Sequence, residues 1–314
     1  MPREFALIDR FTRHFPRRGR GLVLGPGDDC AVLRPSPGHE LCATTDAVVE
    51  GVHFDRRFTM EDVGHKALAV NLSDLAAMGA VPRWFLVALE LRAGVAPSVL
   101  DGLARGMAPL ARAHGCTLAG GNLSRGRALA VTITALGELP AGTALRRDGL
   151  RPGDVLAVTG TLGAAALGRK DLRAGRRTSA ARAQLRPTPR LAAGRAARGI
   201  ASCAIDVSDG LAQDLGHLCD ASGCGAELWA SCLPAAAGVR RRRDRLRLCL
   251  AGGEDYELLL GVSPRRWPQL ERRLAAAGTA LTEIGRAVAE RGLRLAPAPG
   301  GTPRPIAARG FDHF

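Results

Sequence analysis

The chain reads Gly25-Pro26-Gly27-Asp28-Asp29-Cys30-Ala31 near its N-terminus, and Thr44-Thr45-Asp46 follows shortly. These two segments place three carboxylates in a glycine-rich neighbourhood. Neighbouring carboxylates that stay ionised repel one another, and hard oxygen ligands of this kind are those that Mg²⁺ selects, usually with substrate phosphates completing its shell. The stretch predicts a metal-nucleotide site, although glycines beside paired aspartates also form ordinary surface turns.

Two further acidic motifs carry Ser-Asp pairs beside apolar runs. They read Asn71-Leu72-Ser73-Asp74 and Asp206-Val207-Ser208-Asp209-Gly210. The first lies in a segment with helical apolar spacing, which places Ser73 and Asp74 near the border of a buried face. The second indicates a strand end that turns into a helix. There Ser208 or Asp209 could cap the helix, or the helix N-terminus could bind a phosphate.

Glycine pairs precede polar residues at two more places, Gly120-Gly121-Asn122 and Gly252-Gly253-Glu254-Asp255. The acidic and polar positions therefore recur at the ends of apolar runs. Strand ends are where α/β proteins build their ligand sites. The pattern predicts an α/β protein with its ligand site at such ends.

The order and spacing of these motifs closely resemble the thiamine-monophosphate kinase family. The similarity extends over about residues 5–314, and its segments are GPGDDCAVL, TTDAVVEGVHF, HKALAVNLSDLAAMGA, LAGGNLSRG, LRRDGLRPGD, VTGTLG, IDVSDGLAQDLGHL, AGGEDYELL and GFDHF. The wider superfamily includes aminoimidazole ribonucleotide synthetase, selenophosphate synthetase and a hydrogenase maturation factor. The VEGVHF and GFDHF segments favour the thiamine-phosphate member.

The resemblance implies a two-domain α/β (α+β) fold of the aminoimidazole ribonucleotide synthetase type. Residues 1–145 would form an N-terminal domain that binds ATP and Mg²⁺ and dimerises, with its sheet forming a barrel across a homodimer. Residues 146–314 would form a C-terminal α/β domain that completes the active site. A length of 314 residues agrees with two domains.

The resemblance also assigns site residues, matched motif by motif. Metal-binding positions are Asp28, Thr44, Thr45, Asp46, Asp74, Asn122, Asp206 and Asp209; ATP-binding positions are Gly121, Asn122, Arg147 and Ser208; substrate-binding positions are His53, Glu254 and Phe311. An aromatic ring can stack on a cationic thiazolium, which is the role expected for Phe311. Without the resemblance, Phe311 could be a hydrophobic tail anchor, His53 a structural histidine and Glu254 a turn acid.

The sequence departs from the family pattern at two positions. Asn122 stands where many members carry Asp, so a carbonyl ligand is kept and a charge is lost. Ala104-Arg105-Gly106 stands where many have Tyr-Arg-Gly at the adenine, so an aromatic stacking partner is missing. We expect weaker nucleotide binding, with part of it recovered by Ala104→Tyr, and a higher Mg²⁺ requirement that Asn122→Asp reverses.

Composition bears on the class of partner. The net charge is +14, which ordinarily suggests nucleic acid. The basic residues are almost all Arg, however, and spread throughout, and aromatic residues make up only 4% of the chain. A stacking platform for single strands is therefore poorly supported. We expect no nucleic-acid partner.

Other sequence features concern the compartment and the way ATP is held. The eight cysteines form no C-x-x-C pair or zinc pattern, there is no apolar run of about 18 residues, and residues 1–15 contain no signal core. We expect a cytoplasmic protein with no membrane partner. No G-x-x-x-x-G-K-[ST] motif is present, so metal and backbone would hold ATP.

The predicted activity is ATP-dependent phosphorylation of thiamine monophosphate to thiamine diphosphate, with several Mg²⁺ ions and ATP as co-substrate. Phosphoryl transfer needs mainly positioning and charge neutralisation, so no side-chain nucleophile is expected. Three alternatives stay open at this stage: another ATP-using enzyme of the superfamily, a nonenzymatic ATP-binding regulator, and a basic nucleic-acid-binding protein.

Overall fold

A computed structural model describes residues 4–310 of the chain. Phe311, predicted to bind substrate, lies outside the described residues. The chain divides into two compact units. The first contains Met1–Leu75, Ala80–Gly142 and Leu185–Pro187, and the second contains Ala76–Gly79, Thr143–Gln184 and Thr188–Phe314.

The first unit is built on one sheet flanked by helices. Its elements in chain order are α1 (Glu4–Thr12), β1 (Leu22–Leu24), β2 (Val32–Leu33), β3 (His39–Val49), α2 (Met60–Ala77, which ends beyond the unit), β4 (Val81–Leu91), α3 (Pro97–Ala113), β5 (Thr117–Arg125) and β6 (Ala130–Pro140). The strand order of the sheet is β3-β6-β4-β5, and β1 and β2 form a separate antiparallel pair. The long strands β3 and β5 therefore occupy the two edges.

One face of this sheet is buried. Along β6, the side chains of Val131, Ile133 and Ala135 are fully buried, whereas the alternating Thr132 and Thr134 are partly exposed. Successive side chains of a strand point to opposite faces. The register pairs Thr44 with Ala135 and Asp46 with Ile133. Thr44 and Asp46 thus share the buried face, and Thr45, which pairs with Thr134, belongs to the other.

Helices α2 and α3 approach closely through glycine. A Cβ atom added to Gly64 would lie 2.1 Å from the carbonyl oxygen of Leu103, and one added to Gly106 would lie 2.0 Å from that of Glu61. No larger residue fits at either position unless the helices separate. This contact fixes α2, the helix that carries Asn71 and Asp74.

The second unit contains a larger mixed sheet. Its elements are β7 (Val155–Thr159), α4 (Ala164–Arg173), α5 (Ser179–Leu185, which ends beyond the unit), α6 (Leu191–Ala197), β8 (Cys203–Asp206), α7 (Leu211–Ser222), β9 (Gly225–Trp229), a short 3₁₀ turn (Ala230–Cys232), α8 (Arg245–Ala251), β10 (Leu258–Val262), α9 (Trp267–Ala276), β11 (Leu281–Val288), β12 (Gly292–Ala296) and β13 (Arg304–Ile306). The strand order is β13-β12-β9-β11-β7-β10-β8.

Three neighbouring strands, β7, β10 and β8, bring their loops together at one end of the sheet. Strand β10 runs antiparallel to both β7 and β8, with Leu258 opposite Asp206 and Leu259 opposite Val158. The start of β10 therefore lies beside the ends of β7 and β8. Residues 254–257, which precede β10, are placed next to residues 206–209, which follow β8.

None of the helices among residues 4–310 is long and apolar enough to cross a membrane.

Candidate active site

The first cluster joins the edge strand β3 to helix α2. The Thr44 hydroxyl donates a hydrogen bond to Asp74 Oδ2 at 2.5 Å, and the main-chain N–H of Asp46 donates to Asn71 Oδ1 at 3.1 Å. Asn71 is fully buried and anchors itself by donating from Nδ2 to the carbonyl oxygen of Ala67 at 3.0 Å. The structure thus joins Thr44 to Asp74 and holds the main chain of Asp46 against the same helix.

Two other predicted metal-binding residues lie differently. The Thr45 hydroxyl is on the opposite face of the sheet, where it donates to the carbonyl oxygen of Ile133 at 3.2 Å and meets Thr134 Oγ1 at 3.2 Å. Only the main chain of Thr45 adjoins the cluster. Asp28 lies in an exposed turn and accepts a hydrogen bond from the N–H of Asp29 at 2.9 Å.

Gly121 and Asn122 lie on the far edge of the same sheet. The register aligns Asp46 with Ile133, Ile133 with Val87, and Val87 with Gly121. Three strand spacings, roughly 14 Å, therefore separate the two edges. Asn122 is exposed on β5. One chain by itself does not place Asn122 in the same coordination shell as Asp46 and Asp74.

His53 lies just after β3 and its ring is oriented by the backbone. The N–H of Val49 donates to His53 Nδ1 at 3.1 Å, so Nδ1 is an acceptor and Nε2 carries the proton of the neutral ring. Lys66, which is 1% exposed, donates from Nζ to the carbonyl oxygen of His53 at 3.4 Å. In this tautomer Nε2 is the N–H donor of the ring.

The second unit has its own acidic cluster between β8 and α7. Asp206 is buried at the end of β8, and the carboxylate of Asp214 accepts hydrogen bonds from the N–H groups of Asp209 at 3.2 Å and Gly210 at 3.0 Å. Ligand atoms of Asp209, Asp214 and His217 lie within 4.8 Å of one another. Burial, and then the negative charge of Asp206, raise the pKa of Asp214 to about 8.

The structure excludes the interpretation that Ser208 or Asp209 caps α7. Gly210 occupies the N-cap position of α7, and neither neighbouring side chain caps the helix. Instead, an acid from the first turn of α7 reaches back to the N–H groups of the loop. The side chains of Ser208 and Asp209 are therefore not committed to capping.

Glu254 lies in a strained loop beside this cluster. Its φ angle is 71° and that of Tyr256 is 50°, values that residues other than glycine rarely adopt. The N–H of Glu254 donates to the carbonyl oxygen of Ser208 at 2.7 Å, and the N–H of Tyr256 donates to that of Val207 at 2.9 Å. Backbone strain of this kind persists where surrounding contacts determine it, and it concentrates at binding sites.

Two neighbours of Glu254 anchor the loop. Asp255 accepts hydrogen bonds from the N–H groups of Gly163 at 2.5 Å and Ala165 at 3.1 Å, at the start of α4. Glu257 is buried and forms a two-bond ion pair with Arg190, in which both nitrogen–oxygen distances are 2.6 Å. It also accepts the hydroxyl of Thr159 at 2.7 Å.

Arg147 is not brought to the Ser208–Asp209 loop by the second unit. It is exposed, and its carbonyl oxygen accepts the hydroxyl of Ser222 at 2.9 Å. Ser222 ends α7, whereas Asp209 precedes its start. Twelve helical residues correspond to roughly 18 Å. The main chain of Arg147 therefore lies near the far end of this helix.

Sequence reasoning assigned no role to four residues of these clusters: Asn71, Asp214, His217 and Gln184. The first three belong to the motifs quoted above, and their spacing from Asp74 and Asp209 indicates a place on the same helix or on the helix that follows. Gln184, whose Nε2 donates to Glu254 Oε2 at 2.5 Å, lies 70 residues from its partner and belongs to no motif.

Comparison with known families places both units. The family AIR synthase related protein, N-terminal domain, matches residues 27–139, and AIR synthase related protein, C-terminal domain, matches residues 151–296. The matched ranges cover most of the chain and agree with an aminoimidazole ribonucleotide synthetase-like α/β fold.

Individual relatives are similar over nearly the full length. The chain is 40% identical over 322 residues to thiamine-monophosphate kinase from Salmonella typhimurium, covering 99% of this chain and 98% of the relative. Thiamine-monophosphate kinase from Stenotrophomonas maltophilia superposes with a TM-score of 0.86 at 37% identity, over 94% of this chain and 97% of the other.

A further solved structure contains ligands. AaThiL complexed with AMPPCP and TMP superposes with a TM-score of 0.80 at 30% identity, over 99% of this chain and 97% of that chain. With such identity over such lengths, this chain belongs to the thiamine-monophosphate kinase family.

Proposed function

We infer that this protein transfers the γ-phosphoryl group of ATP to thiamine monophosphate and so forms thiamine diphosphate. The observation that carries this conclusion is the full-length similarity to AaThiL, a protein solved with AMPPCP, an ATP analogue, together with TMP. The oxygen-rich clusters around Asp74 and Asp209 occur in the segments that this similarity covers. They provide the groups that phosphoryl transfer requires.

The donors of the first cluster fit magnesium. The hydroxyl of Thr44 and the carboxylates of Asp46 and Asp74 are all hard oxygen ligands, which Mg²⁺ prefers. Asp206 and Asp209 supply further carboxylates in the second unit. The family resemblance also implies Asp28, Thr45 and Asn122 as ligands. We propose that Thr45 contributes through its main chain, and that Asn122, on the far edge of the sheet, contributes from the partner subunit of the homodimer. Magnesium bound there neutralises charge on the phosphates of ATP.

The remaining chemistry is positioning. A phosphate oxygen of thiamine monophosphate forms a bond to the γ-phosphorus while the bond from that phosphorus to the bridging oxygen of ADP breaks. The reaction requires the two oxygens to lie in line with the phosphorus. Asn71 holds the main chain of Asp46, and Asp214 holds the loop that carries Ser208. These bonds fix Asp46, a proposed metal ligand, and the loop of Ser208, a proposed ATP contact.

Substrate recognition is assigned to His53, Glu254 and Phe311. The family resemblance supports a contact between His53 and the substrate phosphate, and the N–H of Val49 orients the His53 ring. Glu254 presents its carboxylate from a conformation that the main chain of Ser208 holds in place. We propose ATP contacts for Gly121, Asn122, Arg147 and Ser208. For Arg147 the contact depends on its long side chain or on a second subunit.

We propose a homodimer in which the sheets of two first units form a barrel. Within residues 4–310, β3 and β5 each have a hydrogen-bonded strand partner on one side only. Three large apolar side chains on β1, β2 and β3 are about half exposed: Val23 at 53%, Val32 at 47% and Leu41 at 47%. Exposed strand edges and apolar side chains of this kind favour association.

The division of labour between residues 1–145 and 146–314 also stays a proposal. The first part would supply the Asp46–Asp74 cluster and the dimer contact, and the second the Asp206–Asp209 and Glu254 loops. We further propose that the protein works in the cytoplasm, a reducing compartment. All eight cysteines are free thiols, which agrees with that environment.

A coupled assay tests the activity. Purified protein is supplied with ATP, Mg²⁺ and thiamine monophosphate, ADP is followed continuously, and thiamine diphosphate is identified by chromatography. We expect equal amounts of the two products and no reaction in EDTA. Unphosphorylated thiamine serves as the control acceptor and should give no product. ADP release without thiamine diphosphate, or ATP binding without turnover, would contradict the proposed function.

A further inference from the structure

Gln184 combines two unusual properties in the second unit. It lies on α5, is 3% exposed, and donates from Nε2 to Glu254 Oε2 at 2.5 Å. Its other polar atom, Oε1, is shielded from solvent and accepts no hydrogen bond from the described residues. Buried polar atoms are satisfied in the great majority of cases, so an exception calls for an explanation.

The carboxylate of Glu254 determines which way the Gln184 amide points. Turning the amide over would place Oε1 against a carboxylate oxygen, and two acceptors would then face each other. The bond to Glu254 is therefore kept only when Nε2 faces Glu254. Oε1 is thereby held as a buried acceptor, on the side chain that bonds to Glu254, for which the described residues supply no donor.

A main-chain hydrogen bond connects this pair to Ser208, for which we propose an ATP contact. Glu254 donates from its N–H to the carbonyl oxygen of Ser208, and Gln184 bonds to the Glu254 side chain. The start of α5 is fixed by Thr178, whose hydroxyl accepts the N–H of Ala181 at 3.1 Å and donates to Asp171 at 2.6 Å. Gln184 is thus held on a short helix with an anchored N-terminus.

We propose that Gln184 is a specificity-determining residue: it positions the carboxylate of Glu254 and, through Oε1, accepts a hydrogen bond from the amino group of the substrate's aminopyrimidine ring. This inference rests on the proposed function, which makes thiamine monophosphate the acceptor substrate. The exocyclic amino group is the N–H donor of that molecule. An acceptor that is already removed from water matches it.

The proposed hydrogen bond predicts that the enzyme discriminates against a substrate analogue that lacks the exocyclic amino group. A site with a buried polar group rejects an analogue that lacks the complementary hydrogen-bonding group, because the buried group then stays unpaired. The probe is desamino-thiamine monophosphate, in which hydrogen replaces the exocyclic amino group. We expect the wild type to use thiamine monophosphate at least about 30-fold more efficiently in kcat/KM than the probe.

The variant Gln184→Leu removes both polar side-chain atoms and keeps a side chain of similar size. We expect the preference for the amino substrate to fall to about 3-fold or less, chiefly through KM for thiamine monophosphate, while KM for ATP stays within about 2-fold. Gln184→Met is the second variant, to be used if Leu prevents folding. Gln269→Leu makes the same chemical change on the exposed face of α9 and should leave the wild-type preference unchanged.

The outcomes separate the two levels of inference. A wild-type protein that does not phosphorylate thiamine monophosphate overturns the proposed function itself. A wild type that turns over both acceptors with nearly equal efficiency overturns the role of Gln184 while the kinase activity stands. The same holds if folded Gln184→Leu or Gln184→Met loses activity on both acceptors equally and keeps the wild-type preference, since a purely structural role would do that.

Discussion

Asn71 Oδ1 accepts the main-chain N–H of Asp46 at 3.1 Å, so a buried amide on α2 holds the edge strand that carries a predicted metal ligand. Nδ2 of the same amide donates to Ala67 at 3.0 Å, one turn earlier on the helix. Both halves of the side chain are used. Asn71 therefore fixes the distance between β3 and α2, and with it the spacing of Asp46 from Asp74.

Replacing Asn71 by Leu should damage this spacing. Losing this part-buried hydrogen bond to the Asp46 N–H costs about 0.5–1.5 kcal/mol. We expect kcat/KM to fall by about tenfold or more and the Mg²⁺ concentration for half-maximal rate to rise. A magnesium titration measures both. Leu100→Ala, a core change on α3 that costs about 2–5 kcal/mol, controls for lost stability and should keep the wild-type Mg²⁺ requirement.

Thr44 and Thr45 provide a matched pair for the metal assignment. Only Thr44 directs its hydroxyl to Asp74, whereas Thr45 directs its hydroxyl to the opposite face. Thr44→Val should therefore lower kcat/KM more than Thr45→Val, by about tenfold, and raise the Mg²⁺ requirement. Steady-state assays at several Mg²⁺ concentrations decide this. Equal losses in the two variants would place the metal elsewhere.

Much of the fold and part of the site could be predicted from local sequence. Apolar residues at helical spacing predict helices at 63–78 and 98–114, and the structure has α2 and α3 there. The sequence predicts a strand at 155–159, where β7 lies, and a Pro- and Gly-rich loop at 295–305, of which the first two residues belong to β12 and the last two to β13. Pairing with β12 overrides the Pro-rich composition there, since Pro305 lies on an edge strand where a missing N–H is tolerated.

The rest of the site depends on contacts between distant segments. The bond between Gln184 and Glu254 and the pairing of Arg190 with Glu257 join residues about 70 positions apart, and nothing in the local pattern at 171–189 indicates them. The Arg-, Ala- and Pro-rich composition at 171–189 predicts a helical insert. The structure has the end of α4 and the whole of α5 there, and no helix at 174–178 or 186–189. Thr45, in contrast, could have been placed from local sequence, because side chains alternate along a strand and those of Thr44 and Thr45 must point to opposite faces.

Arg190→Met should destabilise the second unit strongly. Removing one partner of a buried ion pair leaves the other charge uncompensated, here on Glu257, at a cost of about 3–5 kcal/mol. Urea unfolding measures the loss. The matched control is Arg247→Met, which breaks an exposed pair with Asp244 and should lower stability far less. Similar losses in both would mean that Glu257 is well solvated.

Asp255 should make stability depend on pH. Although the residue is partly exposed, burial of its carboxyl group raises its pKa to about 7 from an ordinary value near 3.8. Between these two values the folded protein holds a proton that the unfolded chain has released. Stability from this group is therefore highest at low pH and falls as pH rises to about 7.

Asp255→Asn isolates that contribution, because the amide does not titrate. The melting temperature of the wild type, relative to the variant, should decline between about pH 4 and pH 7 and stay level above pH 7. Differential scanning calorimetry of both proteins in matched buffers measures the difference. A difference that is flat over this range, or that grows with pH, would show that the carboxyl group is ionised throughout.

Ala104→Tyr tests the missing aromatic residue. The sequence suggested that tyrosine here would tighten ATP binding by stacking on adenine. In the structure, however, Ala104 is fully buried on α3, with no exposed surface from which a ring could reach a ligand. Forcing a large ring into a packed site typically costs about 1–3 kcal/mol or more.

We therefore expect Ala104→Tyr to lower the melting temperature and to give no gain in ATP affinity, both measured by calorimetry. The control Arg105→Tyr, on the exposed face of α3, should leave stability nearly unchanged. Tighter ATP binding by a stable Ala104→Tyr would mean that α3 opens at this position when nucleotide binds.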